Sequence, residues 1–157
     1  MYITRGSNDT FEFGRALGVN LRAGDSVLLY GDLGTGKSVL ARGAARALGV
    51  ADEMASPTFT IMQPYKGAHT SVYHFDLYRL SGADELFASG LEDHIGTDGV
   101  SLIEWPQQAD LSPERRIEID IVRGAQFNER EIDVAIFGAD ERTEAILSSL
   151  QKWEAQA

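Results

Sequence analysis

Apolar positions along the chain follow two different rhythms, and each rhythm predicts an element. Val27-Leu28-Leu29-Tyr30 is an unbroken apolar run ending at Gly31, the pattern of a strand buried on both faces. Val39 to Leu48 carries apolar residues at helical spacing and stops at Gly49. Ser7 is expected to cap an earlier helix bearing Phe11, Phe13 and Leu17, which a turn at Ala23-Gly24-Asp25 closes. Further strands are predicted at Ser71 to Leu77, Val100 to Trp105 and Ile117 to Val122, with Ile117, Ile119 and Ile121 on one face, and another at Ile132 to Phe137. Asp84 to Ala88 reads as a short helix, and Arg142 to Trp153 as a terminal helix with Ile146, Leu150 and Trp153 in phase.

An early strand, loop and helix followed by largely apolar strands predicts an α/β fold. It has a mostly parallel sheet flanked by helices, with the later, alternating strands added antiparallel at an edge. No repeat or linker divides the 157 residues, so one domain spanning 1–157 with one core is expected.

Composition narrows the class. With 43% hydrophobic and 24% charged residues the chain reads as globular. No stretch approaches the roughly 18 apolar residues of a membrane span, and the start lacks the layout of a signal peptide, so a cytoplasmic protein with no membrane contact is expected. The absence of cysteine excludes disulfides and thiolate chemistry, and His69, His74 and His94 are scattered, which leaves oxygen ligands for any metal. Fourteen basic against 24 acidic residues give net charge −10, which opposes direct attraction to nucleic acid. Any RNA is therefore expected to be held by another subunit.

The chemistry is concentrated between the first predicted strand and its helix. Gly31-Asp32-Leu33-Gly34-Thr35-Gly36-Lys37-Ser38 satisfies the phosphate-loop pattern, in which glycines let successive backbone N–H groups turn toward phosphate oxygens. Lys37 is placed to reach the β- and γ-phosphates, Ser38 to offer its hydroxyl to Mg²⁺, and the helix to direct its positive end at the anion. At this glycine and lysine content a chance match is expected roughly a few times in a thousand, before the flanking strand and helix are required. The fold expected is thus P-loop NTPase-like.

Such a loop needs a carboxylate at the end of a neighbouring strand to hold Mg²⁺ or its waters. Asp76 follows Val72-Tyr73-His74-Phe75, and Glu104 follows Val100-Ser101-Leu102-Ile103. A single acid at a strand end is more often a cap or a solvated turn residue; the phosphate loop is what raises these two. Glu104 has the cleaner apolar approach and is the first choice for the metal, whereas Asp76 either orients the attacking water or shares the ion.

Ser56-Pro57-Thr58-Phe59-Thr60 lies where switch segments bring a hydroxyl onto Mg²⁺ and the γ-phosphate, with Thr58 and Thr60 as candidates; an ordinary loop entering a strand reads equally well. Arg79 reads as a solvated strand end, and Arg130 as a residue able to stack on a base. His74 reads as well as a hydrogen-bonded, semi-buried histidine as it does as a catalytic one, and Trp105 as packing at the strand end. Asp93-His94-Ile95-Gly96 matches a short GTPase pattern by chance, since no apolar strand precedes it and no Asn-Lys-x-Asp guanine reader occurs.

The loop, Ser56 to Thr60, His74-Phe75-Asp76-Leu77-Tyr78-Arg79-Leu80 and Leu102-Ile103-Glu104-Trp105-Pro106 together closely resemble the TsaE (YjeE) family over about residues 7 to 122. That resemblance implies a small bacterial ATPase needed for threonylcarbamoyladenosine at position 37 of tRNAs reading ANN codons. It implies work with the TsaB-TsaD pair, in which TsaD carries out the carbamoyl transfer and ATP hydrolysis permits repeated turnover. It further implies ATP and Mg²⁺ as cofactors, with Ser38 and Glu104 on the metal, Lys37 on phosphate, and Asp76 and the Ser56 to Thr60 segment, Thr58 included, in the active site. Nucleotide contacts are expected at Ser7, Gly31, Leu33, Gly34, Thr35, Gly36, Lys37, Ser38, Val39 and Arg130. Ser38 stands where many family members have threonine; either hydroxyl ligates Mg²⁺. Two other classes fit the loop alone: a small-molecule or nucleotide kinase, against which the 11 arginines form no evident lid cluster, and a binding module using nucleotide as a structural switch.

Overall fold

The computed structural model describes residues 1–51, 53–54 and 60–156. In chain order these form β1 (Tyr2–Arg5), α1 (Ser7–Gly18), β2 (Ser26–Tyr30), α2 (Lys37–Ala47), β3 (Met62–Lys66), β4 (Ser71–Asp76), α3 (Ala83–Ser89), β5 (Gly99–Glu104), β6 (Arg116–Arg123), β7 (Glu129–Phe137) and α4 (Thr143–Ser149). The strands make one seven-stranded sheet in the order β1-β7-β6-β2-β5-β4-β3. The central four, β6-β2-β5-β4, are parallel. β7 and β1 add antiparallel at one edge, as the alternating pattern predicts, and β3 adds antiparallel at the other.

β2 shows why its run is apolar throughout: Val27 and Leu29 enter the core beneath α1 and α2, while Leu28 enters a second core beneath α3. The first core joins Phe13, Leu17 and Leu40 to Leu102, Ile119 and Ile121; the second joins Phe75, Leu77 and Leu86 to Ile103. Helices therefore cover both faces. No helix among the described residues is long and apolar enough to cross a membrane.

α1 and α2 touch through their backbones. A Cβ placed on Gly14 would lie 2.1 Å from the Leu40 carbonyl oxygen, and one on Gly43 would lie 2.1 Å from that of Phe11. Only glycine permits this approach, and it sets the start of α1 beside the loop that precedes α2.

Local boundaries differ from expectation for identifiable reasons. Ser7 does not cap α1: Gly6 holds that position at φ 95°, a conformation that favours glycine, and Ser7 is the first helical residue. The terminal helix is shorter than Arg142 to Trp153, because α4 ends at Ser149 and a 3-10 turn at Gln151–Trp153 completes the run. Ile146, Leu150 and Trp153 are nevertheless all buried. β5 ends at Glu104, since Trp105 takes a left-handed conformation at φ 59°.

Candidate functional site

The loop from Gly31 to Ser38 leaves the C-terminal end of β2, which lies between β6 and β5. At Gly31, φ is 150° and a Cβ would meet the Ile121 carbonyl oxygen at 2.5 Å, so the loop begins pressed against β6. Its outer carbonyls are tied by two arginines of the antiparallel edge. Arg123 Nη2 donates to Leu33 O at 2.8 Å, and Arg130 Nε donates to Thr35 O at 3.0 Å. With those carbonyls turned outward, the N–H side of the loop and the start of α2 are available to an anion.

Lys37 is buried at the first position of α2. Its Nζ donates to Gly31 O at 2.5 Å and Asp32 O at 2.8 Å, and sits 4.2 Å from the centroid of the Trp105 ring. Burial pushes this ammonium below the usual lysine range, an effect opposed by the nearby carboxylates of Glu104, Asp76 and Asp32. Trp105 reaches that place because of its left-handed backbone, and its ring lies 4.9 Å from that of Tyr78.

The two strand-end acids meet across the parallel β4–β5 pair, where Asp76 is in register with Glu104. Side chains alternate along β4, so Tyr73 and Phe75 fill the α3 core while His74 and Asp76 point toward α2. Glu104 is 3% exposed and accepts from the Ser38 hydroxyl at 2.9 and 3.0 Å. From the neighbouring strand the His74 Nε2 lies 2.5 Å from Glu104 Oε2. Asp76 is half-buried and accepts from the Tyr78 N–H at 3.1 Å; burial raises its pKa above the ordinary aspartate value, that hydrogen bond pulling the other way.

These groups border a cavity of about 600 Å³, a size that accommodates a nucleotide. Of the residues expected from sequence, Ser7, Leu33, Gly34, Thr35, Gly36, Lys37, Ser38, Val39, Asp76, Glu104 and Arg130 line it together. Gly31 lies behind the wall as an acceptor for Lys37. Arg130 faces the loop's carbonyls. Thr58, with Ser56, Pro57 and Phe59, lies outside the described residues; Thr60 is exposed and donates to Gln63 Oε1 at 3.2 Å. Arg79 is exposed.

Sequence reading did not find Thr10, Tyr78, Phe127 and Asn128, which also line the cavity. Phe127 and Asn128 arrive from the turn between β6 and β7, and no local signal marks them. Trp105 was expected only to pack the strand end, whereas it covers Lys37. Sequence read His74 equally as a hydrogen-bonded, semi-buried histidine and as a catalytic one; the ring is in fact buried, and the pairing of β4 with β5 supplies its partner, Glu104.

A parallel strand, a glycine loop and a helix, with a lysine and a hydroxyl at the helix start and carboxylates on adjoining strand ends, define a P-loop NTPase-like protein. The family model for "Threonylcarbamoyl adenosine biosynthesis protein TsaE" matches residues 4–132. The chain belongs to the TsaE family. The tRNA threonylcarbamoyladenosine biosynthesis protein TsaE of Treponema pallidum is 37% identical over 134 residues, covering 85% of this chain and 98% of the relative. That of Haemophilus influenzae is 42% identical over 96 residues, 60% of this chain and 61% of the relative. A crystal structure of Bacillus subtilis YdiB superposes with a TM-score of 0.71 at 29% identity, covering 96% of this chain and 93% of that one. The relatives' names support a role in tRNA threonylcarbamoyladenosine synthesis, and family and fold together suggest a nucleotide-binding ATPase.

Proposed function

We propose that the protein is a cytoplasmic, Mg²⁺-dependent ATPase, a single P-loop domain over residues 1–157. In this reading it serves N6-threonylcarbamoyladenosine formation at adenosine 37 of tRNAs reading ANN codons, acting with the TsaB-TsaD heterodimer to support its turnover. The observation that carries the reading is the hydrogen-bonded Ser38–Glu104 pair beside a buried lysine at the start of α2. Net charge −10 fits a subunit that meets tRNA through its partners rather than directly.

The donor set suits the ion. Ser38 Oγ and the Glu104 carboxylate are hard oxygen donors converging at one mouth of the cavity, the chemistry that Mg²⁺ prefers over softer ligands. Ser38 and Glu104 would hold it, and when bound it would neutralise charge on the terminal phosphates. Gly34 and Gly36 would present backbone N–H groups to the phosphates, and Thr35 would join them on leaving its 3.4 Å bond to Asp32 O, with Leu33 and Val39 flanking them. Lys37 exchanges its loop carbonyls for phosphate oxygens. Ser7 and Arg130 border the same cavity and would complete the nucleotide contacts. Asp76, in register with Glu104 and lining the same cavity, would orient a water for attack. Thr58 is proposed as the switch hydroxyl.

ATP binding and phosphate release measured for Lys37→Ala, Asp76→Ala and Glu104→Ala, with and without TsaB-TsaD, test this. Lys37→Ala should weaken nucleotide binding about 10- to 100-fold, since charge-assisted hydrogen bonds of about 1.5–3 kcal/mol are lost. Glu104→Ala and Asp76→Ala should bind nucleotide but turn over slowly. Unaltered Mg-ATP binding by Lys37→Ala overturns the reading, and labelled γ-phosphate passing to a metabolite without release to water would make the protein a kinase.

A further inference from the structure

His74 is the one imidazole that the fold buries beside the site: it is 1% exposed, on the β4 face that meets α2. Its neighbour on the same face, Val72, belongs to the apolar core, and an aliphatic residue would continue that core at no polar cost. The ring instead lies with Nε2 2.5 Å from Glu104 Oε2, while Nδ1 is buried with no hydrogen-bond partner among the described residues. A buried N–H lacking an acceptor is rarer and costlier than a bare lone pair, so in the neutral ring the proton belongs on Nε2, directed at the carboxylate.

Glu104 is thereby gripped from two elements. Ser38 holds it from α2 and His74 from β4. The two grips are not equivalent, because Ser38 is itself expected to turn a lone pair to a cation, whereas His74 meets the carboxylate at Oε2 from the neighbouring strand of the sheet.

We propose that His74 is a positioning residue, donating from Nε2 to Glu104 and keeping that carboxylate turned toward Ser38 and the cavity, ready for the divalent cation of a bound nucleotide. The proposal rests on the reading of Glu104 as a metal-facing group. Outer partners of metal-binding carboxylates and imidazoles commonly change metal affinity 10- to 100-fold when removed. His74, which does not line the cavity, therefore acts on ion binding only through Glu104.

The test measures ADP affinity in chelator and in saturating Mg²⁺, taking the ratio as the coupling between ion and nucleotide. His74→Leu should reduce that ratio by about tenfold, whereas its affinity in chelator stays near wild type. His74→Gln, whose amide nitrogen reaches the place of Nε2, should recover most of it, and His74→Asn, which is too short, should not. In a Glu104→Gln background, His74→Leu should change the ratio no further. A merely structural histidine would lower the melting temperature and leave the ratio unmoved, and that result overturns the proposal. Equal losses for Gln and Leu in folded protein also overturn it. If His74→Leu fails to fold, the Gln and Asn pair decides on the same criterion. Should Glu104→Gln by itself leave the ratio intact, the metal-facing reading fails and this proposal with it; a loss there without one in His74→Leu sinks the proposal alone.

Discussion

Gly14→Ala sets two opposed effects against each other, and the geometry decides between them. In a helix interior, alanine is favoured over glycine by about 0.8–1.0 kcal/mol. Against this, the new methyl would sit 2.1 Å from the Leu40 carbonyl oxygen and 3.1 Å from the Leu40 Cα, both backbone atoms that no side-chain rotation can remove. Ordinary contact lies at about 3.5–4.0 Å, so α1 and α2 must separate by roughly 1 Å or more along their shared face. Overpacking of this kind costs about 1–3 kcal/mol, and the rigid partner here is backbone, which places the cost at the upper end. The net is a loss of about 1–2 kcal/mol, or a fall of roughly 2–8 °C in melting temperature for a chain of this size. The displaced helix also carries Ser7 and Thr10 on the cavity wall, so nucleotide affinity should weaken although no nucleotide contact has been altered. Differential scanning calorimetry and an ADP titration on the same sample check both arms. A Gly14→Ala protein more stable than wild type would refute the backbone contact between the helices.

Two other outcomes follow from the geometry. Asp140 accepts from the Arg142 side chain at 2.8 Å and from its N–H at 2.9 Å, which holds its carboxyl below the usual aspartate range. A lowered folded-state pKa means stability that is fully present above the ordinary aspartate value and lost as pH falls through the folded one. Asp140→Asn should therefore melt below wild type at pH 7, and the gap should begin to narrow only as pH falls below about 4, closing once pH is below the lowered folded value; a constant gap at all pH values would contradict the pairing. Trp105 covers Lys37 while Trp153 packs against Phe13, so in a Trp153→Phe protein the emission of Trp105 should still change on adding Mg-ATP, and in Trp105→Phe the change should vanish.

Where side-chain type and position coincided, sequence was informative. β2, the glycine loop and α2 form one continuous device whose every residue is local, so it reads directly. β3 escaped because it is a largely exposed edge strand with Pro64 at its centre, which ordinarily argues against a strand. β1 escaped because four residues are too few to show a period. Asp76 and Glu104 could be named as strand-end acids, but their adjacency is a matter of β4–β5 register. The grip of His74 on Glu104 spans 30 residues and is likewise a product of strand pairing. Phe127 and Asn128 depend on where the β6–β7 turn hangs, which no side-chain pattern encodes.

Lys37 has a further consequence. Its ammonium does not stand in solvent; it is the loop's own guest, held by the carbonyls of Gly31 and Asp32 under the Trp105 ring. In the proposed reading, phosphate is received by exchange, each new bond to the lysine replacing one that existed. Affinity is then a difference between two sets of partners, neutral carbonyls and the stronger anionic phosphate oxygens, so changes that loosen the lysine's place in the loop, such as removal of the Trp105 ring, also move nucleotide affinity.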